Sequence, residues 1–429
     1  MAKHLAPPLL NHAAKALFGL GGSALFLLFF TLAPAFGWAG LAAIGAGVLL
    51  QAWSEWYRPA SISFAETMRQ GYAHRGFLGW TFCLLLLALY IALYFKPQLL
   101  LPMIRMIEPL QIALSGSGQG EGAPSPWFLY GFLYSLTVAA FGIRALVRYR
   151  HSRYHVWRTL SLMFCQLLIA FTLPNILLAL QQPYFEWTNI WPLRYYELWP
   201  DSASHLARSG WLGRTMLVWG VASFLILSPI LTYFFGKRWY CSWVCGCAAL
   251  AETLGDSFRQ NSDKSLAAWR VERLVIYSVL LFILLTTAIL WLKELLPIVR
   301  LGELAGPFSS SYGLLIGALF SGVLGTGLYP IFGSRVWCRF GCPMAAYLGI
   351  LQRLFSRFRI TTNGGQCMSC GNCSTYCEMG IDVRSYAQKG SDILRASCVG
   401  CGYCAYVCPR GVLKLENSGR PPFFPPRAV

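Results

Sequence analysis

Two stretches near the end of the chain carry the residues best suited to chemistry. Residues 367–377 read CMSCGNCSTYC and residues 398–408 read CVGCGYCAYVC, so the spacing C-x2-C-x2-C-x3-C occurs twice, at a period of 31 from Cys367 to Cys398. Closely spaced thiolates on a tight loop can ligate three corners of an iron–sulfur cubane, while the fourth cysteine of each run reaches across to the neighbouring cubane. The expected ligand sets are therefore crossed. One [4Fe–4S] cluster takes Cys367, Cys370, Cys373 and Cys408, and the other takes Cys398, Cys401, Cys404 and Cys377. Gly371 and Gly402 permit the close backbone turn that such a loop needs. Structural zinc competes, since four thiolates also suit a tetrahedral ion, but zinc ribbons use two separated C-x2-C knuckles rather than duplicated runs of four. Cys408 is followed by Pro409, as the two-cluster pattern requires, whereas Cys377 is followed by Glu378. That departure leaves the ligand count intact and bears on the local turn or the cluster potential.

A second repeat lies upstream. Phe235-Gly-Lys-Arg-Trp-Tyr-Cys241-Ser-Trp-Val-Cys245 aligns without a gap on Phe332-Gly-Ser-Arg-Val-Trp-Cys338-Arg-Phe-Gly-Cys342, at a period of 97 from Cys241 to Cys338. Phe, Gly, Arg and both cysteines coincide. Each copy follows an apolar run and two runs lie between the copies, so both emerge on the same membrane face and Cys241, Cys245, Cys338 and Cys342 can converge there. Their i, i+4 spacing on a helix suits a shared metal centre, either a third [4Fe–4S] cluster or copper, and a reducing compartment disfavours a disulfide. Pro343 belongs in the first turn of a helix, which puts the Cys342 thiol at the positive helix end and lowers its pKa. In the first copy Gly246 and Cys247 stand instead, making Cys247 a fifth candidate: a spare, a replacement ligand or a packed small residue. Arg238 and Arg335 either snorkel to lipid headgroups or balance the charge of a cluster. Cys83 and Cys165, alone in apolar runs, read as packing residues.

The elements that position these thiols must lie in a membrane. Of 429 residues, 56% are hydrophobic and 12% charged, and the mean hydropathy is +0.50, too apolar for a water-soluble globule of this size. Thirteen of the fifteen cysteines crowd into residues 241–408, which excludes the disulfide framework of a small secreted protein. About eight apolar runs are long enough to span, near 15–33, 35–53, 76–95, 126–147, 156–181, 211–235, 271–294 and 312–332. The fold expected is a mainly α, polytopic helical membrane protein with both ends cytoplasmic and a small C-terminal α+β two-cluster domain. Orientation follows from Arg144, Arg148, Arg150, Arg153 and Arg158, a connection without acids that belongs inside. The net charge of +18 is thereby explained without a nucleic-acid partner. Counting outward puts the Trp- and Tyr-rich connection 182–210 outside and residues 236–270 and everything after about 333 inside. Four parts are expected: an N-terminal membrane domain, 1–210, with about five spans; a membrane core, 211–360, with about three; the two-cluster domain, 361–418; and a proline-rich tail, 419–429. The segment SGSGQGEGAPS at 115–125 reads as an external flexible connector, and PPFFPP at 421–426 cannot continue a helix. His74, His151 and His155 share the inner side, where a haem or metal between helix ends competes with the simpler account of solvated loop residues.

Taken together, the paired C-x3-C motifs and the double cluster motif resemble the membrane polyferredoxins of the NapH, NosR and CcoG type, over roughly residues 211–418. The resemblance implies a bacterial inner membrane protein that moves electrons between the quinone pool, cytoplasmic clusters and a respiratory redox partner, or that reduces copper during oxidase assembly. The external loops hold no flavin-attachment Ser/Thr motif, and the residues after Cys408 are too few for the extra β-domain of the CcoG branch. The leading expectation is an electron-transfer protein, quinol-linked, with a third redox site at Cys241, Cys245, Cys338 and Cys342. A copper-handling assembly factor and a membrane anchor for a soluble dehydrogenase are the alternatives.

Overall fold

The structure is a computed structural model that describes residues 2–31, 33–56, 75–116, 125–296 and 299–417. The expected connector at 115–125 falls mostly outside the described residues, as do His74 and the proline-rich tail. Among the described residues seven helices are long and apolar enough to cross a membrane: Leu9–Phe29, Pro34–Trp56, Pro126–Arg148, Arg153–Ala179, Gly210–Phe235, Leu266–Leu295 and Gly302–Gly327. An eighth span is available only as a broken one, Gly79–Phe95 with Pro97–Ser115, bent by 114°. The bend follows from Pro97, because the residue before a proline is pushed out of helical geometry, and Lys96 sits at φ −143°. Three spans carry π-type stretches, Cys165–Thr172, Ser223–Leu227 and Gly313–Leu324, and the first two end just before Pro174 and Pro229. A proline inside a helix removes one N–H and crowds the preceding turn, and a wider turn relieves the crowding. The last span begins about ten residues earlier in the chain than its apolar run, at Gly302 rather than near 312.

The chain divides into two compact units. The first comprises Met1–Thr67, Ala88–Glu186 and Ala249–Asp256. Its first two helices form a close hairpin in which a Cβ on Gly21 would lie 2.8 Å from the Gly40 carbonyl, so small residues there let the backbones approach. Leu28, Leu93, Ile104, Ile107 and Leu129 belong to one buried cluster. Polar groups gather at one end of these helices: Arg158 is paired with Glu252 at 2.7 Å with neither side chain exposed, and Arg148 and the Tyr149 hydroxyl both reach Asp256, at 3.0 and 2.7 Å. Arg144 lies 3.6 Å from Glu55. His155 is buried with its Nδ1 2.7 Å from the Ser152 hydroxyl, so it is not the solvated loop residue expected from its charged surroundings. The arginines of the connection expected to lie inside, Arg144, Arg148 and Arg158, are thus buried ion-pair partners in the structure.

The second unit comprises Met68–Leu87, Trp187–Ala248 and Ser257–Val429. Beyond its spans it ends in a small domain whose two strands, β1 (Phe358–Thr362) and β2 (Leu413–Asn417), pair antiparallel with Ile360 opposite Leu415. One strand precedes the first cysteine motif and the other follows the second, so the sheet closes the domain at its base. β1 starts at Phe358, inside the stretch assigned from sequence to the membrane core.

Candidate metal centres

Each run of four cysteines forms a loop, one turn of helix and a second loop. Gly371 and Gly402 stand at φ 78° and 83° just before the turns Asn372–Thr375 and Tyr403–Tyr406, the left-handed geometry for which glycine carries no penalty. The fourth cysteine of each run is held alike: Ile381 N–H donates to Cys377 Sγ at 3.4 Å, and Val412 N–H to Cys408 Sγ at 3.3 Å. Cys367, Cys370, Cys373 and Cys408 line one pocket together with Gly371, Arg384 and Pro409. Cys373 feels the charges of Cys370, Cys408 and Cys367, and Cys404 those of Cys401, Cys398 and Cys377. The structure thus brings Cys367, Cys370, Cys373 and Cys408 near one another, and Cys377, Cys398, Cys401 and Cys404 likewise. Cys373 also acts on Cys404, so the two sets are adjacent. Burial pushes the thiols of Cys373 and Cys377 up to about 11. Binding iron as thiolates must therefore release protons.

The paired C-x3-C motifs converge as well, but not on continuous helices. The short helix Arg238–Cys241 ends before the helix Gly246–Glu252 begins, and Val336–Phe340 ends before Pro343–Phe355. The i, i+4 helical spacing read from sequence is thus a helix, a turn and a new helix. Both copies turn the same way, with Cys245 N–H on the Tyr240 carbonyl at 3.0 Å and Cys342 N–H on the Trp337 carbonyl at 2.9 Å. The second cysteine then caps the new helix. Ala345 N–H donates to Cys342 Sγ at 3.4 Å, and Cys245 Sγ takes N–H bonds from Cys247 and Ala248. The glycine shared by the copies is required: Gly236 and Gly333 have φ 68° and 94°, and a Cβ on Gly333 would meet Ser262 Oγ at 2.3 Å.

Cys241, Cys245, Cys338 and Cys342 are buried and Cys247 is half-buried. Cys247 hydrogen-bonds both Cys245 and Cys338, so the fifth thiol sits between the two copies. Hydrogen bonding by Cys247, with Arg335 beside it, holds the Cys338 thiol low, and Cys247 likewise lowers Cys245. The expected lowering at Cys342 does not occur. Burial and the neighbouring thiols push it well up, and one N–H at the helix end does not offset them. Cys241 is pushed up to about 12 by burial, against the pull of Lys237 and Arg335. Arg335 does not snorkel: it is 1% exposed, with Nη1 3.1 Å from the Cys241 carbonyl and 3.8 Å from Cys338 Sγ. Its counterpart Arg238 instead lies over the Phe358 ring at 4.2 Å, and Lys237 is the buried cation of that copy, donating to the Ala396 carbonyl at 3.0 Å.

Several ties bind these motifs to the small domain. Gln352 accepts from Lys237 N–H at 2.7 Å and donates to the Cys398 carbonyl at 2.9 Å, and Ser242 donates to the Val399 carbonyl at 2.7 Å. Sequence reasoning did not single out Gln352, Ser242 or Lys237, since nothing in their spacing marks them. Among the described residues no group of three or more His, Cys, Asp and Glu side chains is arranged to hold a single metal ion. All-thiolate sets on glycine turns, four of them around one cavity, fit the donor chemistry of iron–sulfur clusters.

Comparison with known proteins agrees with this reading of the motifs. Residues 366–413 match the family described as a 4Fe-4S dicluster domain. The family described as a 4Fe-4S binding domain matches twice, over residues 217–265 and 313–361, once on each copy of the C-x3-C repeat. The chain is 25% identical to the putative electron transport protein YccM of Escherichia coli (strain K12), over 50% of this chain and 66% of that protein. It is 31% identical to the methylamine utilization ferredoxin-type protein MauN of Paracoccus denitrificans, over 41% of this chain and 62% of that protein. To MauN of Methylobacillus flagellatus it is 27% identical, over 34% and 50%. It thus spans from half to just under two thirds of the length of these relatives. No solved structure matches the chain. With its apolar spans, two-strand terminal domain and three 4Fe-4S matches, it is a polyferredoxin-like membrane protein.

Proposed function

We propose that the protein is an iron–sulfur electron transport protein of a bacterial inner membrane. It relays electrons between the quinone pool or a membrane partner and two cytoplasmic [4Fe–4S] clusters through a third site at the paired C-x3-C motifs. Cys367, Cys370, Cys373 and Cys408 hold one cluster and Cys377, Cys398, Cys401 and Cys404 the other, with Cys241, Cys245, Cys338 and Cys342 around the third centre. The observation that carries the reading is the convergence of the duplicated thiols in a buried site tied to the small domain through Gln352, Ser242 and the Arg335–Glu378 ion pair. YccM is named as an electron transport protein and MauN as ferredoxin-type, which supports the same class. A clusters' worth of chemistry is one-electron transfer. This chain's residues supply the ligands, the charge around them and the separation. Since a hydrocarbon core is roughly 30 Å thick, a quinol or a haem partner must complete any path to the outer face.

Iron per chain on anaerobically purified protein tests the reading. About twelve irons correspond to three cubanes, and about eight confine clusters to the terminal domain. Cys338→Ser should then abolish quinol-linked reduction of the terminal clusters, and unchanged reduction would refute the relay. One observation favours a second reading, in which the site handles copper for a respiratory enzyme: the fifth thiol, Cys247, makes it richer in soft sulfur than a cubane needs. Stoichiometric copper lost in Cys241→Ser would identify that role.

A further inference from the structure

The one departure of the terminal motifs from the two-cluster pattern is the residue after Cys377, where Glu378 stands in place of the proline found at 409. A carboxylate in that position is expensive unless partnered, because it is withdrawn from water. Glu378 is 1% exposed and held by two buried arginines: Arg259 Nη1 lies 2.7 Å from Oε2, and Arg335 Nη2 lies 3.0 Å from Oε1. Its carbonyl accepts from the Ser262 hydroxyl at 2.6 Å. The two arginines lead to different places. Arg335 touches Cys338 Sγ and the Cys241 carbonyl in the membrane-face site. The guanidinium carbon of Arg259 lies over the ring of Tyr403, 3.6 Å from its centre, and Tyr403 precedes Cys404 of the second motif. Glu378 is therefore bonded in sequence to a ligand of one proposed centre and joined through a single side chain to a thiol of another.

We propose that Glu378 is a positioning residue that couples the membrane-face thiol site to the cluster held by Cys377, with Arg335 as the link. The inference rests on the reading that clusters occupy these thiols and adds the residue that sets their relative potentials. A buried pair aligned between two centres does two things. It fixes their separation, since neither side chain can move without exposing the other as an unpaired buried charge. It also sets how readily each centre accepts an electron, since cluster potential follows nearby charge and hydrogen bonds to sulfur. The charge of Glu378 reaches both sides, acting on Cys338 and on Cys398. Proline at this position would carry no charge and reach neither arginine. The carboxylate therefore stands only in the motif copy whose following residue reaches Arg335.

The test uses the full chain, purified anaerobically, with iron content and spectroscopic redox titration of the clusters. Glu378→Gln keeps the shape and removes the negative charge, so the potential of the cluster set with Cys377 should rise. Arg335→Gln removes the positive charge and should lower it. The cluster set with Cys367 serves as the internal reference and should stay put in both variants. Opposite shifts with iron retained support the coupling, since loosened packing alone would move both variants the same way. Shifts of the same sign, or none with iron retained, overturn it. Should Glu378→Gln fail to load, Arg335→Lys and Arg335→Gln decide: a lower potential in Gln than in Lys supports the link, and equal potentials overturn it. Wild-type iron near eight per chain would defeat the third cluster separately, because the sign test is read at the Cys377 cluster.

Discussion

Cys247 shows how much a single side chain can depend on its neighbours. Its hydrogen bonds to Cys245 and Cys338 lower both of those thiols, although in the second copy of the repeat the matching residue is Met344. Because the other four thiols occupy matching positions in the two copies, Cys247→Ser should leave iron loading at the wild-type level, while Cys338→Ser should remove the iron of the membrane-face site. Iron assay with the absorption spectrum of the two variants checks this, and equal loss in both would make Cys247 a ligand. The crossed ligand sets are testable at the same scale. Cys408→Ser should cost about four irons per chain and spare the cluster made with Cys377. Loss of the Cys398-containing cluster instead would show uncrossed ligation.

At the scale of elements, the chain enters each copy of the site through a glycine that ends the preceding helix. Gly333→Ala puts a side chain at φ 94° and against Ser262, so it should cost about 1–3 kcal/mol and lower the midpoint of thermal unfolding in detergent. An alanine placed at Gly45, where a Cβ would meet nothing within 4 Å, is the control that should leave the midpoint in place. The helix ends of the first unit depend on buried charge. Arg158→Ala strands the Glu252 carboxylate, both partners being 0% exposed, and should cost about 3–5 kcal/mol by the same measurement. An unchanged midpoint would mean that water reaches Glu252.

For the molecule as a whole, the distribution of positive charge argues that the cysteine sites face the cytoplasm. An epitope inserted after Tyr184, an exposed residue of the Trp- and Tyr-rich connection, should bind antibody on intact spheroplasts. One inserted after Asn417, at the end of β2, should bind only after permeabilisation. The reverse pattern would invert the topology and move the clusters to the outer face.

The thiol groupings and the repeats were legible in the sequence because thiol spacing is a local property: three cysteines within seven residues are held close together, and their duplication repeats the geometry. Apolar length likewise marked the spans, since crossing a bilayer demands about 20 residues whatever they pack against. What spacing could not show was anything set by partners far along the chain. The choice between snorkelling and charge balance for Arg335, the burial that defeats the helix end at Cys342, and the enclosure of His155 each depend on residues brought together only by folding. So does the meaning of Glu378, which the motif marked only as an exception. Its two arginines lie 119 residues before it, at Arg259, and 43 before it, at Arg335, and only the tertiary structure makes that exception a link between two sites.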